Sequence, residues 1–317
     1  MFSIEPALFS EDAVAAETRA LNADIIAALE DAPDQWSLPH TVIRERRALG
    51  QGIYPLPPKS SRAETLSIDG PGGVIALRVI RPLGVAKGVY LHIHGGGWMY
   101  GAADQQDALL ERVADRVGFA AVSVEYRLSP EHPFPAAPDD CLAAALWLSE
   151  NARSEFQTEK LAIGGESAGA HLSVLTLLAL RERHGLSPFQ GANLVAGCFD
   201  LGLTPSARQF GDEKLILRTT DIENFVKRFL VCGTDRRAPH ISPLYADLTG
   251  MPPALFSVGT RDALLDDSIF MAMRWLAAGN LCDLAIFPGG AHVFQAFAIP
   301  LAEESLQRID AFLQSLA

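Results

Sequence analysis

From residue 86 onward, apolar runs of strand length alternate with segments of helical period. The runs are GVYLHIH, FAAVSVEY, KLAIGG, ANLVAGCF, PALFSVG and CDLAIFP, and the helical segments fall at 104–117, 137–152, 168–184, 264–278 and 300–316. Runs apolar on both faces and separated by helices predict a parallel sheet covered on both sides. Ahead of them TLSIDG and GVIALRVIRP, split by Pro71-Gly72, predict an opening hairpin. Residues 11–31 place Val14, Leu21, Ile25 and Leu29 on one helical face, with Ser10 as the expected N-cap. Residues 33–62 carry no clear period.

The β–α alternation is interrupted at about residues 201–240, a stretch too polar for sheet and too long for an ordinary connection. We expect residues 1–50 and 201–240 to form a helical cap over the carboxyl ends of the strands, where open α/β sheets bind ligands. The 317 residues then read as a single domain with cap elements rather than as two domains.

Charge narrows the partners. A net charge of −12 leaves no basic face for nucleic acid or anionic lipid. No apolar run approaches the roughly 18 residues of a membrane helix, and the first residues turn acidic at Glu11 and Asp12 where a secretory signal would be cationic and then apolar. Cys141, Cys198, Cys232 and Cys282 are scattered without C-x-x-C spacing, as suits free thiols in a reducing compartment. A cytoplasmic location is expected.

The chemistry begins at Gly165-Glu166-Ser167-Ala168-Gly169, which follows a strand and opens a helix. That context predicts a tight turn holding Ser167 out as a nucleophile, with small residues fitting beside it. His94-Gly95-Gly96-Gly97-Trp98 ends another strand and opens a glycine loop whose N–H groups are free to face a ligand oxygen. Gly96 and Gly97, with the N–H of Ala168, are the expected oxyanion donors. His92 and His94 share a strand face, but no third ligand stands at metal spacing, so no metal is expected.

A serine nucleophile needs a base, and in this arrangement the order along the chain is Ser, then acid, then His. Only His292, in PGGAHVF, follows the strand expected to carry the acid. Asp262 stands nearest that strand's end and is the expected acid. Asp266, one helical turn on, is its competitor, and Asp267 is a further alternative; both are otherwise expected to cap or solvate the following helix. Trp98, Tyr100 and Val293 are candidate pocket residues, together with the cap aromatics Phe210 and Phe225.

HGGGW at 94–98, YRLSPEHPFPAAPDD at 126–140, GESAG at 165–169, SPLYADLTGMPP at 242–253 and HVF at 292–294 occur in this order. With them the chain resembles the hormone-sensitive-lipase-like (bacterial family IV) carboxylesterases of the α/β-hydrolase superfamily. The resemblance implies a mostly parallel eight-stranded sheet, a triad of Ser167, Asp262 and His292, and oxyanion donors at Gly96, Gly97 and Ala168. It also implies short-to-medium acyl ester substrates, no cofactor and a possible homodimer. Arg127, Glu131 and Asp140 would tie the loop beside the oxyanion hole. The chain departs from the pattern at Ala263, at Glu166 and at Val293, where the family has glycine; a β-branched residue there stiffens the backbone beside the base. Amide or lactone hydrolysis by the same triad is the nearest alternative. A lyase or a ligand-binding receptor is set against by the retained His292 and the intact HGGG.

Overall fold

The computed structural model describes residues 4–317. Its strands are β1 (Glu64–Gly70), β2 (Gly73–Ile80), β3 (Val89–Ile93), β4 (Ala120–Val124), β5 (Leu161–Glu166), β6 (Phe189–Val195), β7 (Ala254–Gly259) and β8 (Cys282–Phe287). They form one sheet in the order β1-β2-β4-β3-β5-β6-β7-β8. The β1/β2 and β2/β4 pairs are antiparallel and the others parallel. Strands β3, β4 and β7 are buried along their whole length, which is why their sequences are mostly apolar instead of alternating.

The longer helices are α1 (Ala16–Asp31), α2 (His40–Ala48), α3 (Asp107–Arg112), α4 (Ala136–Phe156), α5 (Ala168–His184), α6 (Pro205–Gln209), α7 (Thr219–Phe229), α8 (Leu265–Ala277) and α9 (Pro300–Ser315). Side chains of α4, α5 and α8 pack with Leu91, Ile93, Val122 and Ile163 on one face of the sheet. Those of α3 and α9 pack with Tyr90, Ala121 and Ala162 on the other. The split follows from the two-residue period of the strands, which sends neighbours to opposite faces.

Several sequence expectations are corrected. The first helix begins at Ala16; residues 11–13 are a separate 3₁₀ turn, and the Ser10 hydroxyl bonds back to Ala7 O at 2.9 Å instead of capping forward. Residues 33–62, read as aperiodic, contain α2, whose mostly polar surface hides its period around the single buried Ile43. The helix expected over 104–117 is a 3₁₀ turn, then α3, then a π turn at Val113–Val117 closed by Gly118. Strand β6 lies earlier than the run ANLVAGCF suggests. It stops at Val195 because Ala196 takes a positive φ and the N–H groups of Phe199 and Asp200 both donate to the buried Asp267 carboxylate.

The N-terminal and mid-chain segments meet each other. Ile25 of α1 packs with Leu215 and Ala291. The Trp36 indole donates to Asp221 at 2.7 Å and lies edge-on to Phe225, and Lys214 reaches Leu29 O at 3.0 Å.

Candidate active site

Ser167 occupies the turn between β5 and α5 with φ 57° and ψ −117°. That backbone conformation is sparsely populated for a non-glycine residue and costs on the order of 1–3 kcal/mol. Two features hold it. The Ser167 N–H donates to Val195 O at 2.8 Å, and α5 starts in direct contact with β3: a Cβ at Gly169 would lie 1.8 Å from Ile93 O. Any larger residue there would push the helix off the sheet, so the small residues around the serine reflect contact as well as turn geometry.

His292, in the loop after β8, brings Nε2 to 2.9 Å from Ser167 Oγ. Its Nδ1 lies 3.0 and 2.9 Å from the two carboxylate oxygens of Asp262, which also accepts the N–H of Leu264. With the ring proton on Nδ1 facing the carboxylate, Nε2 is left as the acceptor for the serine hydroxyl. Both His292 and Asp262 are buried. The two competing acids are engaged elsewhere. Asp266 accepts the N–H of Ser206, and Asp267 accepts those of Phe199 and Asp200 together with the Thr204 hydroxyl.

The histidine loop is anchored by parts of the chain that carried no sequence signal for it. The Tyr54 hydroxyl donates to His292 O at 2.7 Å, and Asn22 donates to Gly289 O at 2.8 Å. Burial holds the Tyr54 hydroxyl well above its ordinary pKa, so it stays a donor. Val293 has φ 51°, a left-handed conformation that a β-branched residue rarely takes, and it lines the cavity beside His292. Glycine would adopt this backbone freely.

The glycine loop after β3 is set by one carboxylate. Glu166 accepts the Gly95 N–H through Oε1 at 2.6 Å and contacts His92 Nε2 through Oε2 at 2.9 Å. Burial alone would raise the Glu166 carboxyl, but His92 and the Gly95 N–H outweigh it and hold it below the ordinary range. Gly96 and Gly97 both have positive φ, and a Cβ at Gly97 would lie 2.3 Å from the Phe225 ring. Among the hydrogen bonds of the described residues none uses the N–H of Gly96, Gly97 or Ala168. All three residues line the same cavity as Ser167.

The other histidines of this region are committed to structural partners. The His92 ring also contacts the Ser123 hydroxyl, and His94 bonds Gly95 O and stacks on Tyr126. His171 accepts from the Trp98 indole and donates to Ile241 O. Burial pulls His94 and His171 down to about 4, so both are neutral. Among the described residues no group of three or more His, Cys, Asp or Glu is placed to hold a metal ion.

The cavity has a volume of about 570 Å³. Gln35, Arg47, Tyr54, Ile216 and Phe225 line it from the N-terminal and mid-chain segments; Tyr90, Leu109, Asn193, Gln295, Leu306 and Ile309 line it from the sheet, α3, α9 and the histidine loop. Trp98 and Val293 reach the cavity, while Tyr100 and Phe210 are not among its lining residues. Tyr100 is set behind the wall, with the Arg47 guanidinium 4.4 Å over its ring. The loop 126–140 is tied as expected by Arg127 to Asp140, and Glu131 binds Arg44. Arg44 itself also donates to Met99 O and Ser129 O, joining α2 to the glycine loop.

Sheet topology, serine turn and glycine loop together define a hydrolase of the α/β class. The profile of the α/β-hydrolase fold family matches residues 90–296. The carboxylic ester hydrolase LipN of Mycobacterium tuberculosis is 36% identical over 238 residues, covering 72% of this chain and 63% of LipN, so the match spans less than two thirds of that relative. An acetyl-hydrolase of Streptomyces hygroscopicus is 32% identical over 74% of this chain and 78% of its own. Among solved structures, a hormone-sensitive lipase from a metagenome library superimposes with a TM-score of 0.82 at 30% identity, covering 94% of this chain and 98% of the other. The chain belongs to the α/β-hydrolase family and, within it, to the hormone-sensitive-lipase-like carboxylesterases.

Proposed function

We propose that this protein is a serine esterase that cleaves short-to-medium acyl esters through Ser167, His292 and Asp262 by way of an acyl-enzyme. The observation carrying the proposal is the continuous contact from Asp262 through His292 to the Ser167 hydroxyl at the wall of a 570 Å³ cavity. His292 takes the serine proton as Oγ attacks the ester carbonyl, and returns it to the departing alcohol. Water, deprotonated by the same ring, then attacks the acyl-enzyme and releases the acid. Asp262 orients the imidazole and stabilises its protonated form without taking the proton. The N–H groups of Gly96, Gly97 and Ala168 receive the oxyanion, and Glu166 holds their loop in place through Gly95. The segments around α1, α2, α6 and α7 act as a cap over the cavity within one domain.

The test is turnover of p-nitrophenyl acetate, butyrate, octanoate and palmitate by wild type and Ser167→Ala, with a metal chelator present. Wild type is expected to favour the short esters, and the variant to lose about 10³–10⁶ in kcat with its fold retained. Equal activity in both proteins would overturn the proposal.

A further inference from the structure

Two arginines line the cavity, Arg47 and Arg112, and their surroundings differ. Arg112 is tied up by Glu303 and Asp310. The side chain of Arg47, in the last turn of α2, takes part in none of the hydrogen bonds or ion pairs found among the described residues; its guanidinium lies over the Tyr100 ring. Burial lowers its pKa, opposed by Tyr100, Tyr54 and Asp221. Asp221 offers it no ion pair, because that carboxylate is already bonded to Arg218, Trp36 and Gln35. Glu166, the carboxylate lining the cavity nearest the serine, is likewise engaged by His92 and Gly95.

A half-buried cation in a cavity wall with no anion paired to it is costly unless something else supplies the charge. The end of α2 offsets part of this, since its carbonyls carry roughly half a negative charge, but that favourable contact exists equally when the charge points to solvent. A guanidinium's N–H fork matches a carboxylate in two parallel bonds. Resting on the esterase reading above, we propose that Arg47 makes its part of the cavity wall a subsite for a carboxylate, so that the preferred substrates are esters carrying an anionic group away from the scissile bond. Half-esters of dicarboxylic acids are the simplest such class. Hydrolysis is unchanged in kind: water adds across the ester, and the distal carboxylate remains intact.

The experiment compares ethyl half-esters of succinate, glutarate and adipate with ethyl butyrate, valerate and hexanoate, in which a methyl group replaces the carboxylate. The pair 4-acetoxybutyrate and butyl acetate puts the charge on the alcohol side instead. In wild type at least one anionic ester is expected to exceed its neutral counterpart in kcat/KM. In Arg47→Gln that ratio should fall roughly 10–100-fold, mainly through KM, the scale of one charged hydrogen-bonded pair. Arg47→Lys should retain part of it, and added salt should lower the wild-type ratio alone. A wild type that hydrolyses p-nitrophenyl butyrate yet prefers the neutral member of every pair overturns the proposal and leaves the esterase reading standing. So does a ratio unchanged in Arg47→Gln, which would reduce Arg47 to a prop for Tyr100. A folded wild type inactive on every ester, p-nitrophenyl butyrate included, removes both.

Discussion

Asp262 bonds His292 through both carboxylate oxygens, whereas Asp266 and Asp267 hold the backbone around residues 199–206. Replacing Asp262 by Asn substitutes an amide that favours the wrong ring tautomer, so Nε2 no longer accepts the serine proton. Steady-state kinetics of Asp262→Asn should show kcat down by about 10³–10⁴-fold, and Asp266→Asn should stay within about threefold of wild type. A large loss in the second variant and none in the first would reassign the acid. Ser167 and His292, with Asp262 preferred to Asp266 as the acid, could be read from the sequence as candidates because they follow strand ends in a set chain order. Tyr54 could not: its partner, the His292 carbonyl, is 238 residues away, and a lone tyrosine in an aperiodic stretch carries no local mark. Arg44 and Arg47 were hidden for the same reason, in a helix whose polar surface masked its existence.

At the scale of elements, an ion pair helps to attach α2 to the loop 126–135. Arg44 donates to both Glu131 oxygens, and His40 contacts one of them. Arg44, aided by His40, holds the Glu131 carboxyl down at about 2. A lowered carboxylate pKa stabilises the folded state above its ordinary range, near 4.5, and that contribution is lost as pH falls from there toward about 2. Glu131 is partly exposed, so the effect is modest. In urea melts the gap between wild type and Glu131→Gln is expected to narrow steadily below pH 4.5, and hydrogen exchange should locate the loosening in α2. A gap independent of pH would mean that the contact contributes no charge-dependent stability. The element errors share a cause. Periodicity locates apolar surface, but the starts of α1 and β6 and the π turn after α3 depend on hydrogen bonds to distant groups or on local winding that leaves the pattern unchanged.

For the molecule as a whole, cohesion comes from the sheet and its two covering layers, with no crosslinks. All four cysteines are free; Cys141 and Cys198 are buried and Cys232 is exposed. Burial raises the Cys141 and Cys198 thiols well above their ordinary values, so they are poor nucleophiles. Calorimetry should give the same Tm with and without reductant, and a thiol reagent should label Cys232 first in the native protein. A Tm that falls on reduction would point to a disulfide. No helix among the described residues is long and apolar enough to cross a membrane.

The sequence by itself determined the sheet, the nucleophile turn, the glycine loop and the order of the candidate triad. All of these depend on short-range patterns: burial on both strand faces, small residues where backbones touch, and polar residues at strand ends. Only the tertiary structure decided which aspartate faces His292, how Glu166 braces the glycine loop, and that an arginine without a carboxylate partner stands in the cavity wall. Those outcomes depend on where a side chain's partner lies in space. A charged residue in an aperiodic segment looks the same in sequence whether it ends in solvent, in an ion pair or in a cavity wall.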